Sequence, residues 1–301
     1  AVPQTADPPG ARFGYLIGDA SPIHNSNTHV CAVLARLVGH GEERYREPLR
    51  EALTWTIARQ RADGSWPYGE RADLEWVDNF HTGYVLDALR TCADAGVDER
   101  AEPAWRRGLD HYRANLFEAD GTPRYFAGET YPIDNQCAAQ GIQTLAIAAG
   151  HVPDSLDQAR RVLAWSLANM RRRDGLFYFQ RRRHWINRVA HVRWAETCML
   201  LALAHLQQAE SASTVRVGAT APGDAVRRLA GRRGPELRGP GVDGRWLARV
   251  SVGAPRCVAT AYRAGVFRRQ DPRRHVPRVL DAVAFTSHPG GPGHGGAARD
   301  G

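Results

Sequence analysis

The chain contains no lysine. All 40 of its basic residues are arginine. Together with 30 Gly and 18 Pro, this points to a coding sequence rich in G and C. Cysteine is sparse and scattered, at 31, 92, 137, 198 and 257, with no C-x-x-C pair. That excludes a disulfide framework and a zinc knuckle, and a reducing cytoplasm is the expected location. Long apolar runs are missing too. The longest, such as Thr197 to Ala204, is far too short to cross a bilayer. No charged-apolar-small signal segment opens the chain. An initiator Met is also absent, and the polar, Pro-containing start points to a fragment. No P-loop, G-x-G-x-x-G, G-x-S-x-G, H-E-x-x-H or calcium loop is found. Common nucleotide, serine-hydrolase and zincin chemistries are therefore disfavoured, and neither cofactor nor metal is expected.

What is present is 301 residues, 43 % of them apolar, enough for a large core. The net charge of +8 is uneven. Residues 1–210 hold 24 Arg against 26 acids, and residues 211–301 hold 16 Arg against 6. The basic balance belongs to the C-terminal third and says little about what the rest binds.

An internal repeat organises residues 26 to 208. Asp-Gly pairs stand at 63–64, 120–121 and 174–175. Each follows a helical pattern, and each precedes an aromatic-rich loop: SWPYGE, TPRYFAGE and LFYFQRRR. An Ala-Leu-rich helical run follows: GYVLDALR, GIQTLAIA and CMLLALAHL, with HVCAVLARL as an earlier copy. Aligning Leu37, Leu89, Leu145 and Leu203 brings His29, His81, Cys137 and Ala195 into register. Asn27, Asp78 and Asp134 are expected to precede their helices. Amphipathic partners are expected at Thr54 to Arg59, Trp105 to Leu116 and Ala159 to Met170. A helix apolar nearly all round must be buried between neighbours. Alternating inner and outer helices at a period of about 55 residues therefore predict an all-α fold, a partial (α/α) toroid of about four hairpins over 1–210. Four units do not close a ring of six.

The segment WTIARQRADGSW carries Gln60, Gly64 and Trp66 as Q-x-x-x-G-x-W. It resembles the QW repeat of the terpenoid cyclase and protein prenyltransferase toroid superfamily. Thr56 departs from the aliphatic residue usual there, and the later units keep only Gly121 and Gly175. The Gln amide is expected to cap backbone groups, and the Trp to pack toward the next hairpin. The D-x-D-D motif of class II cyclases is absent, and Asp134 and Cys137 match the zinc prenyltransferases only loosely. The units are also similar to the six-hairpin barrels of glycan hydrolases, lyases and epimerases. That resemblance implies acidic or His residues at the mouth of the inner-helix ring.

Candidate chemistry concentrates in WVDNFHTG (76–83) and YPIDNQCAAQG (131–141). Asp78 and Asp134 read either as a rim pair of general acid and base or as helix N-caps. His81 reads as a proton shuttle or as a core histidine, with His29 at the matching place one unit earlier. Glu196 reads as a second-choice acid or as the partner of Arg193 in an ion pair. Trp66, Tyr68, Trp76 and Tyr131 would stack on a sugar ring or pack between hairpins. Arg181 and Arg183, with Arg171 to Arg173 across the same loop, would grip a diphosphate or an acidic glycan, or form a solvated loop. The leading expectation is an enzyme acting on an oligosaccharide or glycoconjugate. An isoprenoid enzyme and a non-catalytic binding scaffold are the rivals. No specific nucleic-acid partner is expected.

After Gln208 the repeat stops. Residues 211–301 hold 15 Gly and 8 Pro and no Ile or Asn. They read as a disordered basic tail or as an out-of-frame translation of GC-rich DNA.

Overall fold

A computed structural model describes residues 4–19 and 21–219. All of these lie in the first of the two units into which the chain divides, Ala1–Gly231. The described part is helical. Its inner helices are α1 (His24–Gly39), α3 (Asn79–Asp94), α5 (Asn135–Ala148) and α7 (Thr197–Ala219). Its outer helices are α2 (Arg46–Ala58), α4 (Ala101–Asn115) and α6 (Ser155–Asn169). Each inner helix packs on the next, α1 on α3, α3 on α5 and α5 on α7, while α2, α4 and α6 back α1, α3 and α5. This is the hairpin alternation of an α/α toroid. Two small antiparallel sheets attach to it. One pairs β1 (Gln4–Ala6) with β2 (Ala11–Phe13), and the other orders β3 (Ile133–Asp134), β4 (Gln180–Arg181) and β5 (Ile186–Asn187).

The two helix types follow from their residues. In α4 the buried positions Ala101, Ala104, Trp105, Gly108, Leu109 and Tyr112 recur at three- and four-residue spacing, giving one apolar face. In α5 eleven of fourteen residues are buried, so the helix is enclosed on nearly every side. Gly141 is needed there because a Cβ would come within 2.7 Å of the Phe117 ring.

The Asp-Gly repeat is a docking device. Gly64 and Gly121 take the left-handed conformation, at φ +88 and +95. An added Cβ would meet the backbone of the following outer helix, 2.3 Å from Arg107 O and 2.6 Å from Arg161 O. Asp63 and Asp120 brace these turns by accepting from the N–H and hydroxyl of Ser65 and Thr122. Gly175 has the same φ, but no atom of the described residues lies within 4 Å of its added Cβ.

The Q-x-x-x-G-x-W turn does what its chemistry suggests. Gln60 Nε2 donates to Gly64 O and to Ala104 O, both at 2.9 Å. Trp66 is 2 % exposed, donates to Thr56 O, and reaches Gly108 of the next outer helix. The departure at Thr56 has a reason, since its buried hydroxyl accepts from Asn27 Nδ2 at 2.9 Å.

Several boundaries differ from expectation. Asn27 lies inside α1, which begins at His24, because the Asn27 side chain is used to tie β2 and α2 together. α2 begins at Arg46, eight residues ahead of Thr54, because the buried face Leu49, Ala52 and Leu53 sits among charged residues. A π turn at Val192–Glu196 leads into α7, and α7 runs to Ala219, past the expected boundary at 210. The rest of the 211–301 segment lies outside the described residues. Among the described residues no helix is long and apolar enough to cross a membrane.

Candidate functional site

The site forms where the loop after the first Asp-Gly turn meets the start of α3. Tyr68 N–H donates to Trp76 O, closing this loop, and the two rings stack at 4.7 Å and 12°. Asp78 follows in extended conformation and caps α3, its Oδ1 accepting from His81 N–H at 3.0 Å. Its other oxygen accepts from Trp76 Nε1 at 3.0 Å and lies 2.6 Å from His81 Nδ1. Asp78 is 2 % exposed, whereas the His81 side chain is 21 % exposed. One carboxylate thus caps the helix and fixes the imidazole. With Nδ1 donating to Asp78, the outer nitrogen of His81 carries a lone pair.

Aromatic rings surround that imidazole: Phe80 at 4.1 Å, Tyr68 at 4.5 Å and Tyr84 at 6.1 Å. His29 of α1 also approaches the Tyr84 ring, at 5.1 Å. It is exposed, but the surrounding protein and then the charge of His81 push its pKa down. Burial raises the Tyr84 phenol to about 12. Tyr15 was not singled out by sequence. It stands 45 % exposed beside Tyr68, its hydroxyl accepting from Asn25 Nδ2 at 2.6 Å. Behind the site a cavity of ≈ 10 Å³ is lined by His24, Asn25, Trp66, Tyr68, Asp78 and His81 among others. It admits about one water and no sugar.

Asp134 occupies the matching position one unit later. It caps α5 by accepting from Gln136 N–H at 2.8 Å, and it also accepts from Gln180 Nε2 at 3.2 Å. It is 5 % exposed, and burial pushes its carboxyl up to about 6. The two acids therefore sit at equivalent caps as expected, but neither carboxyl is open to solvent. Only Asp78 holds an imidazole, because Cys137 stands where α3 has His81.

The remaining expected residues separate. Trp66 is core, so the expectation of sugar stacking is corrected by its burial and its bond to Thr56 O. Tyr68 and Trp76 lie at the site, and Trp76 is 39 % exposed. Tyr131 is 36 % exposed in the loop before β3. Glu196 is not paired with Arg193. It accepts from Phe177 N–H at 3.0 Å, and burial raises its pKa, so it braces the loop over the π turn. Three arginines of the loop have partners within the fold, whereas Arg171, Arg173 and Arg183 are exposed. Arg181 donates to Asn169, Arg172 pairs with Asp174, Arg182 lies over Trp185, and Arg183 is exposed.

Two features escaped the sequence reading. Asn27, Asn79 and Asn135 share one register, each fully buried. They donate to Ala52 O, Leu116 O and Ala195 O respectively. The signal was available, since each stands ten residues before the aligned Leu37, Leu89 or Leu145. Asp87 of α3 accepts from Gln140 and Gln143 of α5, and burial pushes it up to about 6. No linear motif marks it. Among the described residues no group of His, Cys, Asp and Glu is arranged to hold a metal ion.

No protein-family model matches the chain, nor does any curated protein. Solved structures do. An inactive variant of the α-1,6-mannanase of Salegentibacter sp., in complex with α-1,6-mannotriose, aligns at TM-score 0.50 and 13 % identity over 68 % of this chain. A family 76 glycoside hydrolase from a bovine Bacteroides thetaiotaomicron strain aligns at 0.51 and 11 % identity, also over 68 %. Cellobiose 2-epimerase of Bacillus thermoamylovorans aligns at 0.49 and 13 % over 67 %. The chain spans 58 %, 53 % and 56 % of those three chains. These neighbours are carbohydrate-processing enzymes, and the first two share with this chain the α/α-toroid fold. It is the glycosidase-type side of the sequence resemblance that they represent.

Proposed function

We propose that this chain is part of an enzyme of the α/α-toroid kind that processes a carbohydrate or glycoconjugate by proton transfer at the mouth of α3. The carrying observation is the 2.6 Å contact between buried Asp78 and partly exposed His81. A carboxylate behind Nδ1 selects the tautomer whose outer nitrogen is a base and stabilises the imidazolium once it forms. Tyr68 and Trp76 present a sugar-stacking surface beside it, and Asp134 serves as the equivalent cap in the next unit. Two buried, engaged carboxyls fit poorly with the free acid and base of glycoside hydrolysis. A lone oriented imidazole fits lyase or epimerase chemistry better. His81 takes the proton from a sugar carbon next to a carbonyl or carboxyl group, and exposed His29, beside Tyr84, is the candidate to return one.

The test is proton exchange in D₂O, followed by NMR on reducing disaccharides and uronate oligosaccharides. Carbon-bound deuterium should appear with the wild type and disappear with His81→Asn. Glycosidic cleavage that survives His81→Asn would overturn the assignment. Sugar binding without exchange by the folded protein would make the site a binding cleft.

A further inference from the structure

Behind the Asp78–His81 pair lies a second imidazole–carboxylate pair. His24, the first residue of α1, is 1 % exposed, and its Nε2 lies 2.7 Å from Glu70 Oε1. The ring also packs against Trp55 at 4.6 Å. Glu70 keeps about a third of its side chain in solvent. Burial lowers the His24 pKa against the opposing pull of Glu70, which favours the neutral ring. A neutral ring that donates from Nε2 to a carboxylate carries a lone pair on Nδ1.

That Nδ1 is buried and has no hydrogen-bond partner. Neither has Asn25 Oδ1, on the adjacent residue, whose side chain otherwise donates to Tyr15. Two orphan acceptors on neighbouring residues are costly in a dry interior. Both residues line the ≈ 10 Å³ cavity, as do Asp78 and His81. The volume fits one water, and a water carries the two O–H donors that the two acceptors lack. An anion would leave both orphan acceptors unsatisfied, and a sugar does not fit.

We propose that one buried water occupies this cavity, donating to His24 Nδ1 and Asn25 Oδ1, and that His24, held by Glu70, is a positioning residue for the Asp78–His81 pair through it. The water fills the space behind Asp78, so the carboxylate cannot retreat from the imidazole. Glu70 sets the direction of the chain by fixing the His24 tautomer. This deepens the catalytic reading of His81, but its test does not depend on activity.

The experiment is ¹⁵N NMR of the imidazole rings of the full chain, with a magnetisation-transfer measurement from water. Three outcomes are expected. His24 appears as the Nε2–H tautomer, it exchanges magnetisation with a long-lived water, and the His81 Nδ1 proton is protected from solvent. His24→Asn places an amide oxygen where Nδ1 was, so it should keep that protection. His24→Leu has no acceptor there and should speed exchange of the His81 proton by at least about tenfold. If His24→Leu does not fold, Glu70→Gln provides the second arm, because it loosens the His24 tautomer and should weaken the water signal. An Nδ1–H tautomer for His24, or no bound water in the wild type, would overturn the proposal. Equal protection of His81 in the Leu and Asn variants would overturn it as well. Loss of the exchange activity alone, with these signals intact, would count against the proposed reaction and leave the water site standing.

Discussion

Replacing Asp78 by Asn and by Ala separates its two duties. Asn is nearly isosteric and keeps the cap, but its amide nitrogen cannot accept from Trp76 Nε1, so Asp78→Asn should cost about 1 kcal/mol. It removes the charge that orients His81 across 2.6 Å. Positioned acid–base catalysis contributes about 10²–10⁴-fold, and turnover should fall by that factor. Asp78→Ala loses more. The cap on His81 N–H accounts for about 1 kcal/mol. The indole of Trp76 and the ring of His81 lose their acceptor but are partly open to water, which adds about 1–2 kcal/mol rather than the full cost of burial. A total of about 2–3 kcal/mol corresponds to a fall of about 4–12 °C in melting temperature for a domain of this size. Differential scanning calorimetry and the deuterium-exchange assay on the same preparations read both effects. Full activity in Asp78→Asn would reduce Asp78 to a helix cap. A melting temperature in Asp78→Ala equal to that of Asp78→Asn would refute the hydrogen-bond reasoning.

Other residues give further tests. Burial raises the Asp134 carboxyl to about 6, above its unfolded value of 3.8, so the folded state holds the extra proton between those values and stability falls as pH rises through them. The fall from this group is at most about 3 kcal/mol, and Asp134→Asn, which retains the cap, should flatten it in urea titrations at about pH 4.5 and 7. An unchanged slope would place the loss elsewhere. Asn79→Ala strips the buried Tyr112 hydroxyl and Leu116 carbonyl of their partner and should cost about 2–4 kcal/mol by chemical denaturation. Gly64→Ala should destabilise more than Gly175→Ala in the same assay. Both require positive φ, but only at Gly64 would the Cβ strike a helix backbone, 2.3 Å from Arg107 O.

The hairpin architecture was legible because it rests on local periodicity. Apolar residues all round α5 and on one face of α4 imply inner and outer helices, and three Asp-Gly pairs mark the turns that stack one hairpin on the next. The caps at Asp78 and Asp134 were legible too, as a polar residue before an apolar helical run. The site was not, because its members come from distant segments. Tyr15, His24, Glu70 and His81 meet only when α1 and α3 pack side by side. The same packing decided that Trp66 belongs to the core, that Glu196 meets Phe177 rather than Arg193, and that Asp78 faces an imidazole while Asp134 faces Gln180. Sequence determined which residues could cap, stack or ionise. Tertiary structure alone decided which of them were desolvated and what stood opposite, and those two conditions set whether a carboxylate merely ends a helix or also aims a base.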